Sequence, residues 1–124
     1  FGRTLHIELK RQVADFEGDT SLQKTLLNQL IRLEGHQAIW YAKRAELLVQ
    51  MAHYRGAKED YKKAISLDRE NAQYRGDLAV VHYLSMHSLD AAKEASVAYE
   101  LSGKAHYAQQ AYEWKKEAIL ELSR

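Results

Sequence analysis

Apolar and polar residues never alternate in a sustained way with β-branched residues along this chain, so no strand is predicted. Proline is absent, and only six glycines interrupt a sequence rich in Ala, Leu, Glu, Lys, Gln and Arg. That composition favours long helices joined by brief turns. The pattern predicts seven helices, over Thr4–Phe16, Ser21–Glu34, Gln37–Met51, Arg55–Leu67, Ala72–Ser85, Leu89–Leu101 and Lys104–Ser123. Thr20 with Gln23 offers a capping box before the second helix, and Ser88 can cap the sixth. The most apolar stretch, Leu78 to Leu84, is broken by His82 and is far too short to span a bilayer.

Sliding the chain against itself shows how these helices are organised. With Ala38 opposite Ala72, an offset of 34, Ala45 meets Ala79, His53 meets His87, and Ala57 meets Ala91. Ala64 also meets Ala98, and Leu67 meets Leu101. Small residues recurring at fixed places are what close helix–helix contact requires, since a bulky side chain would hold the two backbones apart. Leu30, Ile31, Leu33 and Glu34 continue the pattern backward, opposite Ala64, Ile65, Leu67 and Asp68. Gly18 falls where a turn between paired helices belongs. The first unit is weaker, with Gln23 and Leu27 opposite Ala57 and Tyr61, as expected of a terminal repeat.

A 34-residue unit of two helices resembles the tetratricopeptide repeat (TPR) family. That family places small residues near positions eight, twenty and twenty-seven of each unit, which Ala45, Ala57 and Ala64, then Ala79, Ala91 and Ala98, supply here. Tyr41 and Tyr61 match two of its aromatic positions, whereas Arg75, His82 and Ala95 depart from them. The resemblance implies an all-α fold: a right-handed superhelical stack of antiparallel helix pairs. It comprises about three repeats (4–37, 38–71 and 72–103) and a capping helix over 104–123, all in one domain over 1–124. The family's frequent proline near the end of each unit is replaced by Gly35, Arg69 and Gly103. Arg69 ends a helix less readily than glycine, so the turn at Asp68–Asn71 is the least well marked in the chain.

The resemblance also implies a function, protein–protein interaction through a concave groove lined by the first helix of each pair. Mapped onto this sequence, the groove holds Lys43 and Glu46 from the second unit, and Asp77, Val80, Tyr83 and Leu84 from the third. The last helix, in the same register, adds Tyr107 and Trp114. An aromatic strip with a charged rim suits a peptide segment or partner helix, although Tyr107 and Trp114 equally suit packing of the cap onto the last repeat. Some family members clamp the acidic carboxy-terminal tails of heat-shock chaperones with lysine, asparagine and arginine. Those places hold Glu8, Gln12, Lys43, Gln73 and Asp77, so that clamp is absent and no such tail is expected to bind.

Composition narrows the alternatives. Of 124 residues, 46% are hydrophobic and 28% charged, and the formal charge is +1, so nothing calls for a polyanionic partner. Lys43, Arg44, Arg55, Lys58, Lys62 and Lys63 are interspersed with Glu46, Glu59 and Asp60, a mixed surface rather than a nucleic-acid track. Six histidines are present, with no pair four apart and no Glu-x-x-His, so no metal site is expected. Cysteine is absent, no Gly-rich phosphate loop or Gly-x-Ser-x-Gly elbow occurs, and neither an enzyme nor a cofactor is expected. The second functional reading is a self-assembling repeat unit, a homo-oligomer or a domain-swapped scaffold should helix four run through Arg69 into helix five. Opening on Phe1, the chain reads as a fragment or processed product. Its compartment is open, with the cytoplasm slightly favoured.

Overall fold

The computed structural model describes residues 2–123, which form seven α-helices and no strand. They are α1 (Gly2–Glu17), α2 (Thr20–Leu33), α3 (Ala38–Gln50), α4 (Tyr54–Leu67), α5 (Ala72–Leu84), α6 (Ser88–Ser102) and α7 (Ala105–Leu122). Each helix packs chiefly on the one before and the one after it in sequence, which is the neighbour-only contact pattern of a repeat stack. Ala45, Ala57, Ala64, Ala79, Ala91 and Ala98 are wholly buried at the helix contacts, as the 34-residue offset predicts. Leu30, Leu78 and Val81 are the largest side chains sealed completely in the core.

The repeat is clearest in the turns inside each pair. Gly18, Ala52 and Met86 lie 34 apart in sequence, and all three adopt left-handed backbone, with φ of 73°, 59° and 68°. The residue after each closes the same bond to the preceding helix: Asp19 N–H to Ala14 O at 3.0 Å, His53 to Leu48 at 2.8 Å, and His87 to His82 at 2.8 Å. Each is a helix end closed by one left-handed residue, which satisfies carbonyls that would otherwise lack partners. Only the first turn uses glycine, and an L-residue in this conformation is disfavoured by roughly 1–2 kcal/mol. The second and third turns hold it nonetheless.

Three sequence expectations need correction. Asp19, not Thr20, caps α2, its carboxylate accepting from Leu22 N at 3.0 Å; Thr20 is the first helical residue, and Gln23 turns inward instead. Ser88 is the first residue of α6 rather than its cap, and its buried hydroxyl donates to Glu121 Oε1 at 3.3 Å, tying α6 to α7. The turn at Asp68–Asn71 is firmly built. Asn71 caps α5 by accepting from Tyr74 N at 3.2 Å, and donates its amide to Asp68 Oδ2 at 3.1 Å. Helix four therefore ends at Leu67, and the structural motive for a swapped dimer disappears.

The first pair is built differently from the other two. Arg11 stands at the place of Ala45 and Ala79, and Gln23 at that of Ala57 and Ala91; both are buried. Arg11 donates to Glu8 through Nε (2.8 Å) and Nη2 (2.6 Å), and also to Asp15. Asp15 in turn accepts from Gln23 Nε2 at 2.8 Å. A charged, hydrogen-bonded plug thus fills the space that alanine contacts close elsewhere. On its other side α1 leaves Leu5, Leu9, Val13 and Phe16 exposed.

A second polar knot joins α2, α3 and α4. Arg44 grips Asp60 with two parallel bonds of 2.7 and 2.8 Å, while its third nitrogen donates to Asn28 Oδ1 at 2.9 Å. Asp60 is almost completely buried, so the pair fixes the register of three helices at once.

Candidate functional site

The helical period brings most of the sequence-predicted groove residues together. On α5, Gly76, Val80, Tyr83 and Leu84 follow one another at four, three and one residues, so they share one face. On α7, Tyr107 and Trp114 are seven apart, two turns along one side. The two faces meet. Tyr107 lies against Gly76, where a Cβ would collide with its ring, and Tyr83 stacks on Trp114 with ring centroids 5.2 Å apart and planes 20° from parallel. Glycine at 76 is required by this close approach, since its φ is ordinary helical backbone.

Not all of these side chains are available to a ligand. Tyr107 is buried in the α5–α7 contact and forms floor rather than surface. Val80 and Leu84 are exposed at 38% and 42%, and Tyr83 and Trp114 are half-buried, leaving their outer edges open. The result is an apolar, aromatic strip running across α5 and α7.

Beside the strip the surface is polar and acidic. Asp77, half-buried, accepts from Gln73 Nε2 at 2.8 Å and pairs with no cation among the described residues. Burial raises its pKa, the Gln73 bond opposes that rise, and the charge of Glu46 adds to it. The buried hydroxyl of Tyr61 is held protonated well above its usual range by desolvation and then by Asp77 and Glu46. Tyr74 and Tyr107 are raised chiefly by burial, with Asp77 among the secondary causes. The charge of Asp77, which no cation offsets among the described residues, thus reaches three buried tyrosines. Glu117 raises Tyr83 by its charge, with Glu121 a lesser contributor.

Lys43 and Glu46 sit 3.9 Å apart on α3, and line an open cleft of about 460 Å³ with Arg11, Asp15, Gln23 and Leu27. This cleft was not legible in the resemblance, which has no place for a buried arginine. The signal available was Arg11 standing opposite Ala45 in the self-alignment. The face thus has a polar end at α1–α3 and an apolar end at α5–α7, with Glu46 and Asp77 between them.

Among the described residues, no three His, Asp or Glu side chains gather closely enough to hold a metal ion. No helix there is long and apolar enough to cross a membrane.

Comparison with known proteins adds to this picture. No family model and no curated sequence matches the chain. Solved structures do. The TPR domain of Sgt2 from Aspergillus fumigatus covers all of this chain, with 84% of its own length, at a TM-score of 0.83 and 13% identity. The TPR2B domain of yeast Sti1, in a complex with pHsp70, covers 94% of this chain and 99% of its own at 0.82 and 16% identity. The second TPR domain of human RPAP3, in complex with the HSP70 peptide SGPTIEEVD, covers 90% and 94% at 0.78 and 17% identity. At such identities the likeness is one of fold. The chain folds as a tetratricopeptide-repeat stack.

Proposed function

We propose that this domain is a non-enzymatic interaction module that takes a peptide segment or partner helix along the face shared by α3, α5 and α7. The observation that carries the reading is the Tyr83–Trp114 stack beside half-open Val80 and Leu84. These are rigid apolar side chains ordered before any ligand arrives, so little conformational entropy remains to be lost on binding. Two similar folds, in yeast Sti1 and human RPAP3, are complexed with pHsp70 and with an HSP70 peptide respectively. The capacity of the fold to hold peptides supports the reading.

The test is selection from a random dodecamer peptide display, by the native chain and by Tyr83→Ala and Val80→Asp. Both side chains are partly open, so neither change empties the core. The native chain is expected to retain a distinct peptide set that both variants lose while circular dichroism stays the same. Retention of the same peptides by all three proteins would remove this face from consideration.

A further inference from the structure

The charge on this face is specific enough to name the chemistry of what it receives. Its ionic groups sort into satisfied and unsatisfied. At the α1 end, Glu8 and Asp15 are both bonded to Arg11. Lys43 stands 3.9 Å from Glu46 on the same helix. Asp77 is left with a single neutral hydrogen bond, from Gln73, and the carboxylate nearest to it in effect is another anion, Glu46. The apolar strip begins one turn from Asp77 along α5, at Val80, and ends on Trp114.

We infer that the occupant of this groove is a segment in which a lysine or arginine is followed by large apolar side chains, the cation meeting Asp77 and the apolar residues lying on Val80, Leu84 and Trp114. This rests on the groove reading above and adds the sign of the ligand's charge. A cation there supplies the partner that Asp77 lacks, and a charge-assisted hydrogen bond to a half-buried carboxylate is stronger than the neutral one it now accepts from Gln73. An acidic tail meets the opposite situation. It would bring carboxylates towards Asp77 and Glu46, and like charges repel most where one of them, as Asp77 is, stands half-buried with no cation among the described residues to offset it. The peptide SGPTIEEVD, held by the similar fold of human RPAP3, is of that acidic kind, so the two grooves discriminate by charge on one backbone plan.

The display selection decides this directly when its sequences are read, and the best-retained peptide is then titrated against the native chain and Asp77→Asn. Enrichment in Lys or Arg next to apolar residues, with affinity about tenfold weaker for Asp77→Asn as one charge-assisted hydrogen bond requires, is the expected result. Raising the salt concentration should narrow that difference. Selection of acidic or purely apolar peptides, or basic ones bound equally by Asp77→Asn, would overturn the charge assignment and leave the groove standing. Peptides retained equally by Tyr83→Ala would overturn the groove itself.

Discussion

Asp60 and Asp77 sit on neighbouring helices of the same stack and have opposite surroundings. Asp60 is nearly sealed, gripped by both arms of Arg44, and its arginine is further held by Asn28. Asp77 is half-buried, hydrogen-bonded to one glutamine, and has a second carboxylate as its electrostatic neighbour. The first is where a charge belongs if its work is to fix three helices in register. The second is where a charge belongs if its partner is to come from outside. A stack held together by alanine contacts does not need Asp77, and the surroundings of Asp77 are unfavourable to it.

The comparison breaks most visibly at the knot. Asp60→Asn removes the counter-charge of Arg44 and sets an amide NH2 against one of its two donors to position 60, leaving it the Asn28 bond and one to the amide oxygen. Removing one member of a fully buried pair costs ~3–5 kcal/mol, and Arg44 keeps a quarter of its side chain exposed, so a loss of about 2 kcal/mol is expected. Chemical denaturation measures it. A change below ~0.5 kcal/mol would mean that Asp60 and Asp77 are equally dispensable, and the contrast between them would fail.

A smaller loss is expected where the apolar strip is seated. Gly76→Ala would normally strengthen a helix by about 1 kcal/mol, because alanine is the better helix former. Here the added methyl meets the ring of buried Tyr107 and must displace it. Overpacking of ~1–3 kcal/mol then outweighs the propensity gain, for a net loss of about 1 kcal/mol. Trp114 sits two turns beyond Tyr107 on α7, so tryptophan fluorescence should shift as well. A stabilised Gly76→Ala with native fluorescence would show that α7 is loosely docked and that the groove floor is not fixed.

How much of this was legible in the sequence differs between the two carboxylates. The offset of 34 places Ala45, Ala57, Ala79 and Ala91 at helix contacts, because a small residue recurring at a fixed place marks close approach, and all four are wholly buried. Arg44–Asp60 was invisible: both residues read as part of a mixed charged surface, and nothing in their spacing reveals that α2, α3 and α4 converge on them. The Asp68–Asn71 turn reads as weak because Arg69 stands where a glycine or proline would end the helix, while the cap is made by the side chain of Asn71, which accepts from Tyr74 N and donates to Asp68. Tyr107 was placed with the groove by register, yet register alone cannot tell floor from surface when the opposing residue is a glycine. Asp77 was placed on the face by register too, but its lack of a cation is a fact of three dimensions.

The smallest expected effect is also the sharpest. Asp77 has its pKa raised in the folded chain, first by burial, so folding is penalised while the group is ionised. The sign follows from proton binding: the folded state holds the proton to higher pH than the unfolded one, so stability falls as pH rises through this interval. Above it the penalty is fully present, and below the ordinary aspartate value of 3.8 both states are protonated and it vanishes. Asp77→Asn keeps an oxygen to accept from Gln73 and removes the charge. It should therefore stabilise the domain at neutral pH by about 0.5–1 kcal/mol, just beyond the ~0.5 kcal/mol scatter of neutral surface changes, and the gain should disappear in acid. Denaturation curves at neutral and acidic pH test this, set beside the peptide titration. Greater stability joined to weaker binding marks a residue kept for its ligand at the fold's expense, as Asp60 is not. A destabilised Asp77→Asn would place Asp77 with Asp60 among the groups that hold the stack together.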